Sequence, residues 1–417
     1  MSEFLMTAWD GAGAVPPLMS VARALVERGH HVRVLADPVL RADVEATGAV
    51  HVSWTRAPHR KERSRSTLFV GDWGPDAFAA MRDRLAIGPA AAFAADVRAE
   101  LERRPTAALL TESLLFGSLI AAEAAGVPCV VLGTTINMVP ADGVPPFGPG
   151  LLPAADDQER ERDRKVAERN VQMWDVALPA LNAARAEHGL PPLDHVLDQA
   201  RSAALVLVLT SAAFDFLGPL PPVVKHVGPR LDDLLDCGQW APPAGDEPLV
   251  LVALSCDFQD HEDVLRRVTD AMGRLPVRAV VTTGRGVDPD AIDAPSNLQV
   301  LRLAPHRQIL PEAALVVTHG GHGTTIKALA AGVPLVCLPL GRDQLDVAAR
   351  VVHHGAGLRL EPSAAAEEIA AVAMKVLSEE SYRQAAVRLA HEIADEVSED
   401  RAVREIEALV EPHPPVT

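Results

Sequence analysis

Residues 315–339 constrain the fold most. An apolar, β-branched run (315–317) leads into a glycine-rich turn (319–325), the first turns of a helix (326–331) and a second apolar run (335–339). That order predicts buried strand, turn, helix and buried strand, with Gly332 and Pro334 stopping the helix. A helix that starts directly after a strand and a glycine turn offers unpaired N–H groups and a positive dipole end to an anion. Gly320, Gly321 and Gly323 let the backbone approach a ligand closely, and His319 and Thr324 add side-chain donors. Asp343 and Gln344 follow the second strand and offer acceptors and donors together, which suits a polyhydroxy group. A diphosphate beside a sugar satisfies the whole set. The competing reading is a tight turn with no ligand.

A chain of 417 residues is expected to divide into two domains rather than build one core. Apolar runs at 4–8, 31–36, 107–110, 129–132 and 205–209 predict the strands of a first α/β series. The first turn, 9–17, is followed by a helical pattern from about 18 to 27. Its Gly11 and Gly13 lack the third glycine of a dinucleotide fingerprint, and Pro16 and Pro17 crowd it. Residues 221–245 are rich in Pro and Gly and are expected to be a linker. Runs at 249–254, 278–281 and 298–301 join 315–317 and 335–339 as a second series. The expected organisation is therefore an N-terminal domain (1–220), the linker (221–245), a C-terminal domain (246–380) and a charged helical tail (381–417). Two such α/β halves predict two doubly wound parallel sheets facing a cleft.

Composition excludes several classes. The chain is 48% hydrophobic and 23% charged, with a formal net charge of −17. An acidic balance argues against nucleic-acid and anionic-membrane partners, which need basic patches. A phosphate must then be held by backbone and local polar groups. Cys129, Cys237, Cys256 and Cys337 are scattered and have no metal-site spacing, so reduced thiols and no metal are expected. The first residues carry no basic segment or long apolar run, and no apolar stretch reaches about 18 residues; neither a signal peptide nor a membrane span is expected, which points to the cytoplasm. Aromatics make up 4% of the chain, so a pocket for a planar or greasy molecule would draw on Leu, Met, Val and a few Trp and Phe. Arg56, His59, Arg60, Lys61, Arg63 and Arg65 suggest an exposed basic loop over 55–75. The charge run 159–165 suggests a solvated helix face.

His-Gly-Gly-x-Gly-Thr at 319–324, Gly-Val-Pro at 332–334 and Asp-Gln at 343–344 together resemble the donor-binding signature of nucleotide-sugar-dependent glycosyltransferases of the GT-B fold. The bacterial enzymes that decorate antibiotics are the nearest in pattern. The resemblance is strongest over 300–360 and extends to 1–50. It implies an inverting sugar transfer to a small-molecule natural product, with a nucleotide sugar as co-substrate, no further cofactor, and a possible homodimer. It also implies that the final helix crosses back to the first domain. Ser255, after the run 249–254, matches a residue that touches the diphosphate; a simple helix N-cap is the other reading. Leu303 belongs to a segment, Leu303-Ala304-Pro305-His306, that resembles the frame of the nucleobase. Plant relatives carry Trp there, so stacking on the base should be weaker. His319 matches the residue that meets the phosphates, whereas His322 is taken as structural. Lys327 stands where plant relatives carry a ribose-binding Glu. A lysine accepts no hydrogen bond, which leans the donor toward a thymidine diphosphate (TDP) sugar over a UDP sugar.

The departure from the family pattern is at the acceptor. Many relatives read Gly-His-Val-x-Pro in the first loop, and that His removes the acceptor proton. This chain has Gly13-Ala14-Val15-Pro16-Pro17. Asp10, four residues earlier, and Glu112, at the position of the partner carboxylate, are the candidate bases if partly buried. An acceptor acidic enough to need no base is the remaining option. Two other functions stay open: a nucleotide-sugar epimerase or hydrolase on the same fold, and a non-catalytic donor-binding helper in which Ala14 marks lost activity. The apolar, Pro-rich segment 137–153 favours an acceptor site.

Overall fold

A computed structural model describes residues 1–62, 77–233, 237–238, 240–256 and 259–411. The first domain is built on seven parallel strands: β1 (Glu3–Thr7), β2 (His31–Ala36), β3 (Val50–Ser53), β4 (Ala108–Glu112), β5 (Cys129–Gly133), β6 (Leu205–Val208) and β7 (Val224–His226), in the order β3-β2-β1-β4-β5-β6-β7. The second has six: β8 (Leu249–Ala253), β9 (Arg278–Thr282), β10 (Leu298–Leu301), β11 (Ala313–Thr318), β12 (Leu335–Cys337) and β13 (Gly357–Arg359), ordered β10-β9-β8-β11-β12-β13. Helices cover both faces of each sheet, so alternate residues of one strand enter different cores. In β1, Phe4 and Met6 pack with Val21 and Leu25, while Leu5 joins Trp54 and Phe93 on the opposite face.

Strand order reverses at β1/β4 in the first sheet and at β8/β11 in the second. Ligands bind outside the carboxyl ends of strands at such switch points. Both switch points open onto one cleft of about 2330 Å³.

Three differences from expectation have local causes. The helix Val15–Glu27 starts three residues early. Pro16 and Pro17 sit in its first turn, where no intrahelical N–H is needed, so they begin the helix instead of delaying it. β7 lies inside the stretch expected to be linker and pairs with β6, Val206 opposite Val224. The first sheet thus runs six residues past position 220. Arg60 is buried at 5% exposure, not part of a solvated loop, because it pairs with Asp10. Arg63 and Arg65 of that expected loop lie outside the described residues.

The tail forms two helices, Glu380–Ser398 and Arg401–Val410, separated at Asp400, whose φ is 45°. Ala385, Ala386, Leu389 and Ile393 of the first helix pack into the second domain with Leu329 and Val333. Ala402, Val403 and Ile406 of the second helix enter the first domain's core beside Val21 and Leu25. The chain therefore does return to the domain where it began. Among the described residues, no helix is long and apolar enough to cross a membrane.

Candidate active site

The glycine turn leaves β11 at Thr318 and enters the helix His322–Ala330 at Gly321, which holds the N-cap position without any side-chain cap. The helix's first N–H groups are therefore available to a ligand. Gly320 has φ 83°, and a Cβ there would lie 3.0 Å from the Gln344 carbonyl oxygen. The His319 imidazole lies over Gly321, where a Cβ would sit 2.6 Å from the ring. Two adjacent glycines thus serve different needs, a left-handed turn and room for a ring. Gly323 and Thr324 line the cleft with His319 and Gly321.

His319 is 8% exposed. Burial, reinforced by His261 and Arg342, lowers its pKa to about 3, so its imidazole is neutral and can act as an N–H donor. His322 does have a structural partner, and that partner lies in the other domain: Nε2 is 2.8 Å from Thr210 Oγ1. Burial likewise lowers the His322 pKa to about 4.

Ser255 follows β8 at the switch point and lines the cleft. The next helix starts at Glu262 with His261 as N-cap, so Ser255 is not a helix cap. Gly284 lets the loop after β9 press close, since a Cβ there would lie 2.2 Å from the Ser255 carbonyl oxygen. Leu303, Ala304 and His306 line the same end.

Asp343 occupies the N-cap position of the helix Gln344–His353 but makes no capping bond. Its Oδ2 instead accepts from Thr135 Oγ1 at 2.5 Å, across the domain boundary. Gln344 also lines the cleft. It is 1% exposed, and its Oε1 accepts from the N–H groups of Leu340 (2.7 Å) and Gly341 (3.1 Å). That oxygen braces the turn before Asp343 and is committed there, whereas the expectation gave it to a sugar hydroxyl. The same helix fastens the domains together. Asp346 accepts from Gly148 N (2.9 Å) and Gly150 N (3.1 Å) of the Pro-rich segment 137–153. Arg350 Nε donates to Asp215 at 2.7 Å. Burial pushes Asp215 up, but His226, Arg350 and the Asn137 N–H hold it below the ordinary carboxylate range.

At the other switch point the two candidate bases separate. Asp10 is 2% exposed, pairs with Arg60 Nη1 at 3.3 Å and is not among the residues lining the cleft. Its carboxylate is committed to a buried ion pair, which counts against Asp10 as one of the two bases expected from sequence. Glu112 ends β4, lines the cleft and is 4% exposed. Burial raises its pKa, against hydrogen bonds from Ser113, Leu114 and Trp9. Trp9 Nε1 donates to Glu112 Oε2 at 3.0 Å, Leu114 N to the same oxygen at 2.8 Å, and Ser113 Oγ to Oε1 at 2.6 Å. Gly11 makes room for the Trp9 ring, since a Cβ there would lie 2.9 Å from it. Ala14, in the turn Ala12–Ala14, also lines the cleft.

Beyond Glu112 the wall is apolar. Phe78 and Trp174 meet edge to face at 5.0 Å, and Phe116 lies 5.6 Å from Trp174; all three line the cleft. A chain poor in aromatics thus gathers several of them here. The charge run falls on the helix Asp157–Asp175 with ion pairs three and four residues apart, as an exposed face should, and Arg160 and Arg164 reach the rim of the cleft. Sequence reasoning missed Thr135, Trp9 and Asp233. Thr135 had one available signal, its place just past the carboxyl end of a parallel strand. Among the described residues, no three His, Cys, Asp or Glu side chains are grouped as a metal ion would need.

Residues 266–409 match the family model described as erythromycin biosynthesis protein CIII-like, C-terminal domain. The chain is 32% identical to 4'-demethylrebeccamycin synthase of Lentzea aerocolonigenes, over 98% of its own length and 100% of that protein's. Among solved structures, the glycotransferase of kitacinnamycin superposes with a TM-score of 0.78 at 24% identity, covering 98% of each chain. The glycosyltransferase VinC, solved in complex with DTDP, does so at 0.69 and 21% identity, covering 97% of this chain and 100% of that one.

Proposed function

The chain belongs to the family of antibiotic-biosynthesis glycosyltransferases of the GT-B fold, and from that premise we propose that it transfers a sugar from TDP to a flat, largely apolar natural product, with inversion and with Glu112 as general base. One observation carries this reading: an uncapped helix N-terminus and a buried carboxylate, each at a strand switch point, face each other across a single cleft. The diphosphate is held by the N–H groups at Gly323 and Thr324 and by the neutral His319, with Ser255 alongside. These groups are fixed before charge develops on the leaving oxygen, so they stabilise it without reorganising. Asp343, braced by Thr135, holds a sugar hydroxyl and thereby orients the anomeric carbon.

In the transfer, the acceptor hydroxyl or N–H gives its proton to Glu112, its heavy atom bonds to the anomeric carbon, and the bond to the diphosphate oxygen breaks. Ala14 lines the same cleft and carries no group that could take the acceptor proton in place of Glu112. The carboxylate can therefore act directly, and its raised pKa makes it a stronger base than an exposed carboxylate. TDP is favoured over UDP by the structural neighbour solved with DTDP. The aromatic wall of Phe78, Phe116 and Trp174 supports a ring-system acceptor. Cytoplasmic operation accords with such a biosynthetic role.

The test is incubation with radiolabelled TDP- and UDP-glucose and a panel of aglycones that includes the rebeccamycin aglycone. Glycoside formed preferentially from the TDP sugar is expected. Free sugar or an epimer in place of glycoside would move the assignment to a hydrolase or epimerase. Tight nucleotide binding with no product from any acceptor would favour a non-catalytic helper.

A further inference from the structure

Lys327, one of the residues lining the cleft, is not a lone cation. Its Nζ donates to Asp233 Oδ1 at 2.7 Å, and both side chains are largely buried, at 12% and 16% exposure. Asp233 comes from the interdomain connection, not from either sheet. Its Oδ2 accepts from the Arg307 N–H at 3.0 Å, next to His306, which also lines the cleft. Its neighbour Asp232 pairs with Arg23 of the first domain at 3.1 Å, in a far more exposed setting. Adjacent linker residues therefore face different domains, and only Asp233 is buried against the donor end.

We propose that Asp233 reads the nucleoside sugar of the donor, accepting a hydrogen bond from its 3′-hydroxyl, with Lys327 and the Arg307 N–H holding the carboxylate in place. The inference rests on the donor-site reading above. Lys327 lies five residues into the helix whose N-terminus takes the diphosphate, which is roughly 7 Å along the axis at 1.5 Å per residue. That is the reach of a nucleoside sugar from its own phosphate. The bonds from Lys327 and Arg307 use one lone pair on each carboxylate oxygen. A carboxylate has about four acceptor sites, so capacity remains for a hydroxyl. Lys327 itself can accept nothing; its role is to keep Asp233 aimed. A single carboxylate also suits a deoxyribose, which presents one free hydroxyl.

The experiment compares the affinities of TDP and 3′-deoxythymidine diphosphate by calorimetry, for the full-length protein and for Asp233→Asn, Asp233→Ala and Lys327→Gln, each checked for folding by circular dichroism. Both ligands carry the same diphosphate, so any new attraction to an unpaired Lys327 cancels in the ratio. The unaltered protein is expected to prefer TDP by about ten- to a hundred-fold, the range for one hydrogen bond to a charged group. That preference should fall to near unity in both Asp233 variants and shrink in Lys327→Gln. A pair that only tethers the linker would leave the ratio unchanged, and that result overturns the proposal. So does an unaltered protein that binds both nucleotides equally. If neither nucleotide binds at all, the donor-site reading itself fails.

Discussion

Thr135 Oγ1 donates to Asp343 Oδ2 at 2.5 Å, joining the carboxyl end of a strand in the first domain to the start of a helix in the second. The bond spans the cleft, so the Asp343 carboxylate, which we propose orients the donor sugar, is set by a residue of the first domain. A hydroxyl donor to an ionised acceptor is among the stronger hydrogen bonds, of order 1.5–3 kcal/mol. Replacing Thr135 with Val should therefore lower kcat by about ten-fold or more while leaving TDP affinity unchanged. Thr135→Ser should restore most of the loss. Equal losses in kcat and TDP binding would mean that Thr135 supports the fold and not Asp343.

Glu112 gives a pH signature. A base works in its ionised form, and burial raises the Glu112 pKa. Activity should therefore fall on the acid side at a pH above the ordinary carboxylate range. Glu112→Gln should lower kcat by about 10²–10⁴-fold, with donor affinity kept and that acid limb gone. Asp10→Asn should cost stability with little effect on kcat, since Asp10 serves Arg60. Were neither variant slower, and rate followed the acceptor's own ionisation, no protein base would be in use.

His319 is uncharged, because its pKa is pushed down to about 3, and we propose that it meets the diphosphate in that form. His319→Ala should weaken TDP binding by roughly 1–3 kcal/mol, the range for losing a hydrogen bond to a charged group. The difference in affinity between the two proteins should stay flat from pH 5 to 8. A gap that widens toward pH 5 would show an imidazolium at work.

His322 makes stability depend on acid. Its pKa falls from 6.5 to about 4 on folding. The folded state then binds fewer protons than the unfolded one over that window. The stability it contributes is complete above pH 6.5 and is lost as pH falls toward 4. Between pH 7 and 5 the loss is about 2 kcal/mol from this one group. His322→Gln should unfold at a pH-dependence shallower by that amount in urea titrations. Parallel curves for the two proteins would count against the buried, neutral His322.

The strands and the glycine turn were legible because their signals are local: apolar runs, helix stops and a cluster of glycines between strand and helix. Thr135, Asp233 and Trp9 were not legible, since their partners lie 208, 94 and 103 residues away in sequence. Gln344 sat in the right motif yet spends its oxygen on a neighbouring turn, which pattern alone does not reveal. Arg60 looked like loop charge until the fold brought Asp10 to it.

Ile406 is fully buried in the first domain's core. Ile406→Ala should lower stability by about 2–5 kcal/mol, the usual cost of such a cavity. Differential scanning calorimetry should show the loss in the transition of the first domain. A loss confined to a separate transition of the second domain would contradict the packing of the tail.

Ala402, Val403 and Ile406 fill the core that Phe4 and Met6 begin. A ribosome makes these two ends of one core almost 400 residues apart. The second domain lies wholly between them and has all of its strands by residue 359. Domains generally fold in the order in which they emerge. Here the first to emerge is the last to be finished, because its core takes its final side chains from a helix made after the whole second sheet.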